Sequence, residues 1–181
     1  MHGIIKGKTL NQIGKYQEAL ESFDNALKID SEDWEVLYSK GNAYFKLGMN
    51  LESLECYDKS VEINPHVDTW NNRGNALFML ERYQEALESY DNVLDLDPTI
   101  FTAWNNKGEA LEELGKYHEA LQCYNKSLKL NPKHIEVLYN KGHVLGKLEN
   151  YQEALKYLDK ALELDPDYEP AKKAREEILS S

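Results

Sequence analysis

Gly115-Lys116-Tyr117-His118-Glu119-Ala120-Leu121 decides how this chain is read, because the same seven-residue phrase occurs in four further versions. These are Gly14-Lys15-Tyr16-Gln17-Glu18-Ala19-Leu20, Gly48-Met49-Asn50-Leu51-Glu52-Ser53-Leu54, Glu81-Arg82-Tyr83-Gln84-Glu85-Ala86-Leu87 and Glu149-Asn150-Tyr151-Gln152-Glu153-Ala154-Leu155. Their central glutamates are spaced by 34, 33, 34 and 34 residues. A fixed period of this length marks units that each form one small supersecondary element and bury their faces only by stacking on neighbours.

The 34-residue unit resembles the tetratricopeptide repeat, whose signature is an aromatic or leucine, glycine, a bulky residue, a small residue, an aromatic, a second small residue and proline at repeat positions 4, 8, 11, 20, 24, 27 and 32. Trp104, Gly108, Leu111, Ala120, Tyr124, Ser127 and Pro132 supply them in the fourth unit. The resemblance implies an all-α fold, a right-handed superhelical solenoid of antiparallel helix pairs A and B. Five repeats are placed at about 1–33, 34–67, 68–100, 101–134 and 135–168, as one array over 1–181. Residues 169–181 follow as a capping helix, with Ala171, Ala174 and Ile178 on one face and Lys172, Lys173, Arg175, Glu176 and Glu177 elsewhere.

Physical chemistry supports this organisation independently. Gly7, Gly41, Gly74, Gly108 and Gly142 fall inside helix A, where glycine costs about 1 kcal/mol relative to alanine. A close approach of helix B offsets that cost, with Ala19, Ser53, Ala86, Ala120 and Ala154 as the expected small surface. Phe23, Tyr57, Tyr90, Tyr124 and Leu158, with Leu27, Val61, Leu94, Leu128 and Leu162 one turn on, give helix B its apolar stripe. Asn64-Pro65, Asp97-Pro98, Asn131-Pro132 and Asp165-Pro166 end helix B, because proline disfavours helical backbone in the residue before it. The link into repeat three is one residue short, which predicts a late start for its helix A, capped by Asp68.

Composition narrows the function. The chain has 181 residues, 29% charged and 41% hydrophobic, with 32 acidic against 21 basic residues and a net charge of -11. That charge opposes attraction to nucleic acid or an anionic membrane. No apolar run approaches the roughly 18 residues of a membrane span, and Met1 to Lys6 lacks a secretory apolar stretch, so a cytoplasmic protein is expected. Cys56 and Cys123 fall two repeats apart on equivalent helices, about 20 Å at the spacing of packed helices, beyond disulfide reach. His2, His66, His118, His134 and His143 show neither an i, i+4 pair nor a cysteine at metal spacing, and no cofactor is expected. Glutamates that recur once per repeat do not mark a catalytic acid, and the chain is read as a non-enzyme.

Function is then expected on the concave face, which helix A lines at positions 2, 5, 6, 9, 12 and 13. Those positions hold Tyr38, Asn42 and Phe45 in repeat two, and Asn71, Asn72, Asn75 and Phe78 in repeat three. Repeat four has Asn105, Asn106, Glu109, Glu112 and Glu113, and repeat five has Tyr139, Asn140 and His143. Asn72, Asn106 and Asn140, all at position 6, resemble the asparagine ladder of protein O-linked N-acetylglucosamine transferases, which implies side-chain amides bonded to the backbone of an extended peptide. Read as solvent-facing, they should tolerate alanine without loss of stability. The carboxylate clamp of chaperone-binding relatives is not matched: Tyr38, Asn42, Asn72, Thr102 and Asn106 include no cation.

The cations Lys6, Lys40, Arg73, Lys107 and Lys141 at position 7 are expected to cover the helix interface with their stems and reach water or carboxylates with their heads. The expected function is a scaffold that holds a protein or peptide. The alternative is a structural array that self-associates through its N-terminal end or targets an enzymatic domain.

Overall fold

The computed structural model describes residues 2–180, and every regular element among them is an α-helix. Readings that touch Met1, Ser181 or the side chain of His2 lie outside the described residues. The helices are α1 (His2–Gln12), α2 (Tyr16–Leu27), α3 (Trp34–Lys46), α4 (Asn50–Ile63), α5 (Val67–Met79), α6 (Tyr83–Leu96), α7 (Phe101–Glu113), α8 (Tyr117–Leu130), α9 (Ile135–Lys147), α10 (Tyr151–Leu164) and α11 (Glu169–Ser180). Odd-numbered helices up to α9 are the A helices, even-numbered ones the B helices. Two compact units meet in sequence between Leu96 and Asp97: the first holds α1 to α6, the second α7 to α11.

Within each pair, the glycine of helix A faces the position-24 side chain of helix B. A Cβ on Gly41 would lie 2.6 Å from Tyr57 Cε1, on Gly74 2.5 Å from Tyr90 Cε1, and on Gly108 2.5 Å from Tyr124 Cε1. A Cβ on Gly7 would likewise run into the Phe23 ring, and one on Gly142 would lie 2.9 Å from Leu158. The notch therefore receives the large position-24 side chain as its nearest neighbour. Ala19, Ser53, Ala86, Ala120 and Ala154 are fully buried, but only Ala154, through its carbonyl, is among the nearest atoms to a glycine.

Each A helix ends in a left-handed residue, Gly14, Gly48, Glu81, Gly115 or Glu149. The next amide closes the helix onto a carbonyl five residues back, as in Lys116 N to Leu111 O at 2.8 Å and Arg82 N to Leu77 O at 2.9 Å. Glu81 at φ 60° and Glu149 at φ 58° carry a Cβ where the other three positions have none. Glu81→Gly is expected to stabilise the first unit by about 1 kcal/mol or less, the relief of left-handed strain minus the chain entropy of glycine. Urea unfolding checks this, and a lower midpoint in the variant would contradict it.

The Asx-Pro stops behave as expected. Asn64, Asn131 and Asp165 leave the helix with φ of -142°, -133° and -137°, and Asp97 and Asp165 accept from the amides of Thr99 and Asp167. The short link before repeat three resolves differently from expectation. α5 starts at Val67 and has 13 residues, like α3, α7 and α9. The missing residue comes out of the loop, and the cap is His66, whose Nδ1 accepts from the amide of Asp68 at 3.3 Å. His66 also stacks on Trp34 with ring centroids 5.4 Å apart, which holds the tightened loop.

Neighbouring repeats are joined by the position-7 cations. Lys40 meets Asp24 at 2.6 Å, Arg73 meets Asp58 at 2.6 Å, and Lys141 donates to Asn125 at 2.6 Å. Arg175 on α11 meets Asp159 at 2.6 Å in the same way. Each head thus reaches the polar residue that follows the position-24 side chain in the preceding B helix. In the three ion pairs the acid end stays open to solvent, which keeps each worth about 1 kcal/mol.

The cap packs as the sequence indicates: Ala171 and Ala174 are buried against Leu138, Leu158 and Ala161. It takes the place of a further A helix on the second unit. Glu176 stands where the glycine would be and is exposed, since no ring packs there.

Candidate functional site

The A-helix face of the first unit is organised from the glycine notch outward. The Tyr57 ring that fills the notch at Gly41 sends its hydroxyl through to Asn42, donating to Oδ1 at 2.7 Å. Tyr90 does the same to Asn75 at 2.9 Å. Asparagine at position 9 is thus the partner of a buried phenol, and burial holds the Tyr57 hydroxyl far above its usual range. Repeats one and five have Phe23 and Leu158 in place of tyrosine, and their position 9 is Lys8 and His143.

Asn72 is tied into the same network. Its Nδ2 donates to Asn42 Oδ1 at 2.9 Å and to the Tyr38 hydroxyl at 3.4 Å. Asn71 donates to Asn72 Oδ1 at 3.5 Å, the limit of a useful bond, and its own Oδ1 is buried with no donor. Tyr38 lies beside Tyr57 with centroids 6.3 Å apart, and Phe78 packs edge-on to Tyr83 at 5.2 Å. Tyr38, Phe45 and Phe78 are each partly buried.

In the second unit the face is built on two carboxylates. Repeat four keeps Tyr124 but has Glu109 at position 9, and the phenol donates to Glu112 Oε2 at 3.1 Å, one turn along α7. Glu112 also meets His143 Nδ1 at 3.0 Å and Lys147 Nζ at 3.1 Å. Burial pushes its carboxyl up, but the hydrogen bonds from His143 and Lys147 outweigh burial and leave it lowered. Glu109 accepts from Asn105 Nδ2 at 2.9 Å and from Asn140 Nδ2 at 2.8 Å, both on Oε1. Burial raises its carboxyl, and the nearby charges of Glu136 and Glu112 add to the effect.

Asn105 and Asn140 are buried, at 4% and 8% exposure, and also bond each other at 3.2 Å. The solvent-facing position expected for Asn140 is therefore corrected: the side chains of α7 close over it. Asn106 is partly buried on α7. Tyr139 stacks on His143 at 5.7 Å and meets the edge of Tyr168 at 5.7 Å. His143 lines two hollows beside α11, one of about 280 Å³ with Lys147 and Tyr151 and one of about 530 Å³ with Tyr139 and Lys173.

The structure thus joins Tyr38, Asn42, Asn71 and Asn72 in one hydrogen-bonded group, and Asn105, Glu109 and Asn140 in another. Glu112 falls on the concave stripe at position 12, but its position alone gives it no role. The signal that could have singled it out is a position-24 tyrosine in a repeat with no asparagine at position 9. Among the described residues, no three His, Cys, Asp or Glu side chains group as metal ligands, and no helix is long and apolar enough to cross a membrane.

Comparison with known proteins places this geometry. Models of the tetratricopeptide repeat match residues 99–167, 34–66 and 67–100, and a TPR repeat model matches 7–48. YrrB, a TPR protein with an unusual peptide-binding site, shares the fold with a TM-score of 0.86 and 27% identity, over 96% of this chain and 90% of its own. MamA gives a TM-score of 0.85 at 24% identity, over 88% of this chain and 94% of its own. Among curated sequences, RNA polymerase II-associated protein 3 of Mus musculus is 41% identical over 46 residues, 25% of this chain. That stretch is 7% of the mouse protein.

Proposed function

Because the chain belongs to the tetratricopeptide-repeat family, we propose that it is a non-catalytic scaffold whose A-helix face holds an extended segment of a protein partner as a groove. The observation that carries this reading is the direction of its hydrogen bonds. The amide donors of Asn72 and Asn140 are committed inward, to Asn42 and Tyr38 in one unit and to Glu109 and Asn105 in the other. Asn72 Oδ1 receives one bond, at 3.5 Å, so Asn72 offers a ligand an acceptor rather than a donor. An extended segment brings unpaired backbone N–H groups that must find acceptors on leaving water. Tyr38, Phe45 and Phe78 in the first unit, and Tyr139 and His143 in the second, add ring surface beside the amides. The net charge of -11 favours neither nucleic acid nor an anionic membrane, and the reading keeps the protein in the cytoplasm.

The test is to pan a display library of random 12-residue segments against the chain and titrate the strongest by calorimetry. A micromolar ligand, near -8 kcal/mol, is expected, weakened about tenfold or more by the double substitution Tyr38→Ala, Tyr139→Ala. Unchanged affinity with retained helical signal would move the site off the A helices. A structural role has one observation in its favour: Ile5 and Ile13 on or beside α1 are 64% and 63% exposed. Sedimentation over a concentration series would reveal self-association through that end.

A further inference from the structure

Two carboxylates stand one turn apart on α7, and they are neutralised differently. Glu112 is surrounded by hydrogen-bond donors that carry or can take positive charge, Lys147 at 3.1 Å and His143 at 3.0 Å. Glu109 has only the neutral amides of Asn105 and Asn140, and both bond the same oxygen, Oε1. Its Oε2 accepts nothing among the described residues, and no lysine or arginine pairs with it there. A part-buried carboxylate left without a counter-charge is costly, since its own fold neither hydrates it fully nor neutralises it. Two buried asparagines nevertheless hold it in place. Beside it, Tyr139 and Tyr168 meet edge to face, and the Tyr168 hydroxyl lies in the field of both Glu136 and Glu109. Position 9 is acidic in this repeat alone; elsewhere it is Lys8, Asn42, Asn75 or His143.

We infer that Glu109 is the anchor for a lysine or arginine side chain of the segment held on the A-helix face of the second unit, an assignment that rests on the groove reading above. The cation meets Oε2, while the tyrosine rings offer the apolar and π surface that such side chains favour. The groups facing Glu109 are Glu112 from α7, Tyr124 from α8, Glu136 from α9 and Tyr168 from the loop before α11. Burial raises the Glu109 carboxyl. Binding a cation needs the charged form, so retention should fall as pH drops through the Glu109 range.

The probe is a set of synthetic 12-residue peptide pools, degenerate except for a fixed central Arg, Lys, Ser or Glu, passed over the immobilised chain. Wild type is expected to retain the Arg and Lys pools about tenfold more than the Ser pool, and the Glu pool least. Glu109→Gln keeps an acceptor for Asn105 and Asn140, and should erase most of that preference while still retaining the Ser pool. The acid-side loss of Arg-pool retention should shrink in the same variant. Equal retention of Ser- and Arg-centred pools by wild type, or an undiminished Arg preference in Glu109→Gln, overturns the assignment while leaving the groove reading intact. If wild type retains no pool, both readings fall.

Discussion

Gly108→Leu is expected to unfold the second unit or to cost it roughly 3 kcal/mol or more, the upper end of the overpacking range. A Cβ alone would stand 2.5 Å from Tyr124 Cε1 and 2.8 Å from Cδ1, so a ring atom must move before the rest of the leucine is placed. Tyr124 has nowhere to go: it is fully buried, and its hydroxyl is held by Glu112 at 3.1 Å. Helix propensity works the other way by under 1 kcal/mol, and sterics win. The matching control is Glu176→Leu in the cap, at the same repeat position but exposed and facing no B helix among the described residues. It should shift stability by no more than about 0.5 kcal/mol. Urea unfolding of both variants decides the matter, and a wild-type midpoint for Gly108→Leu would contradict the notch.

Asn140→Ala carries the second large effect, and its sign is opposite to the sequence expectation. Alanine gains a few tenths of a kcal/mol as a helix former. Against this, Asn140 is 8% exposed and donates to Glu109 at 2.8 Å and to Asn105 at 3.2 Å. Removing it leaves a part-buried carboxylate with one donor instead of two, at about 1–3 kcal/mol. A net loss of about 1–2 kcal/mol is expected. Asn72→Ala should cost less, because Asn42 keeps its bond from Tyr57 at 2.7 Å. Thermal unfolding followed by circular dichroism measures both, and an Asn140→Ala variant as stable as wild type would show that the amide is not part of the fold.

Much of this was legible because each repeat repeats its own constraint. Helix pairs, glycine notches, Asx-Pro stops and the cap all follow from residues at fixed spacing, and apart from the start of α5 the helices begin and end accordingly. The large partner of the glycine was not legible, since periodicity shows which residues recur but not which two meet across a helix pair. His66 escaped notice as a cap because histidine rarely serves as one; here its ring nitrogen accepts from Asp68 while the ring stacks on Trp34. The sequence lists residues of the A-helix face by position, but not how their side chains connect. That Asn42 serves a phenol while Glu109 lacks a cation depends on hydrogen-bond directions that spacing does not carry.

The central claim, that the A-helix face is where a partner lies, is tested most directly by amide and side-chain NMR of the labelled chain as a degenerate 12-residue peptide pool is added. The account predicts shifts concentrated on α3, α5, α7 and α9, with the side-chain amides of Asn72 and Asn105 among those that move. Shifts confined to the B helices α4, α6, α8 and α10, or to α1 alone, would contradict it.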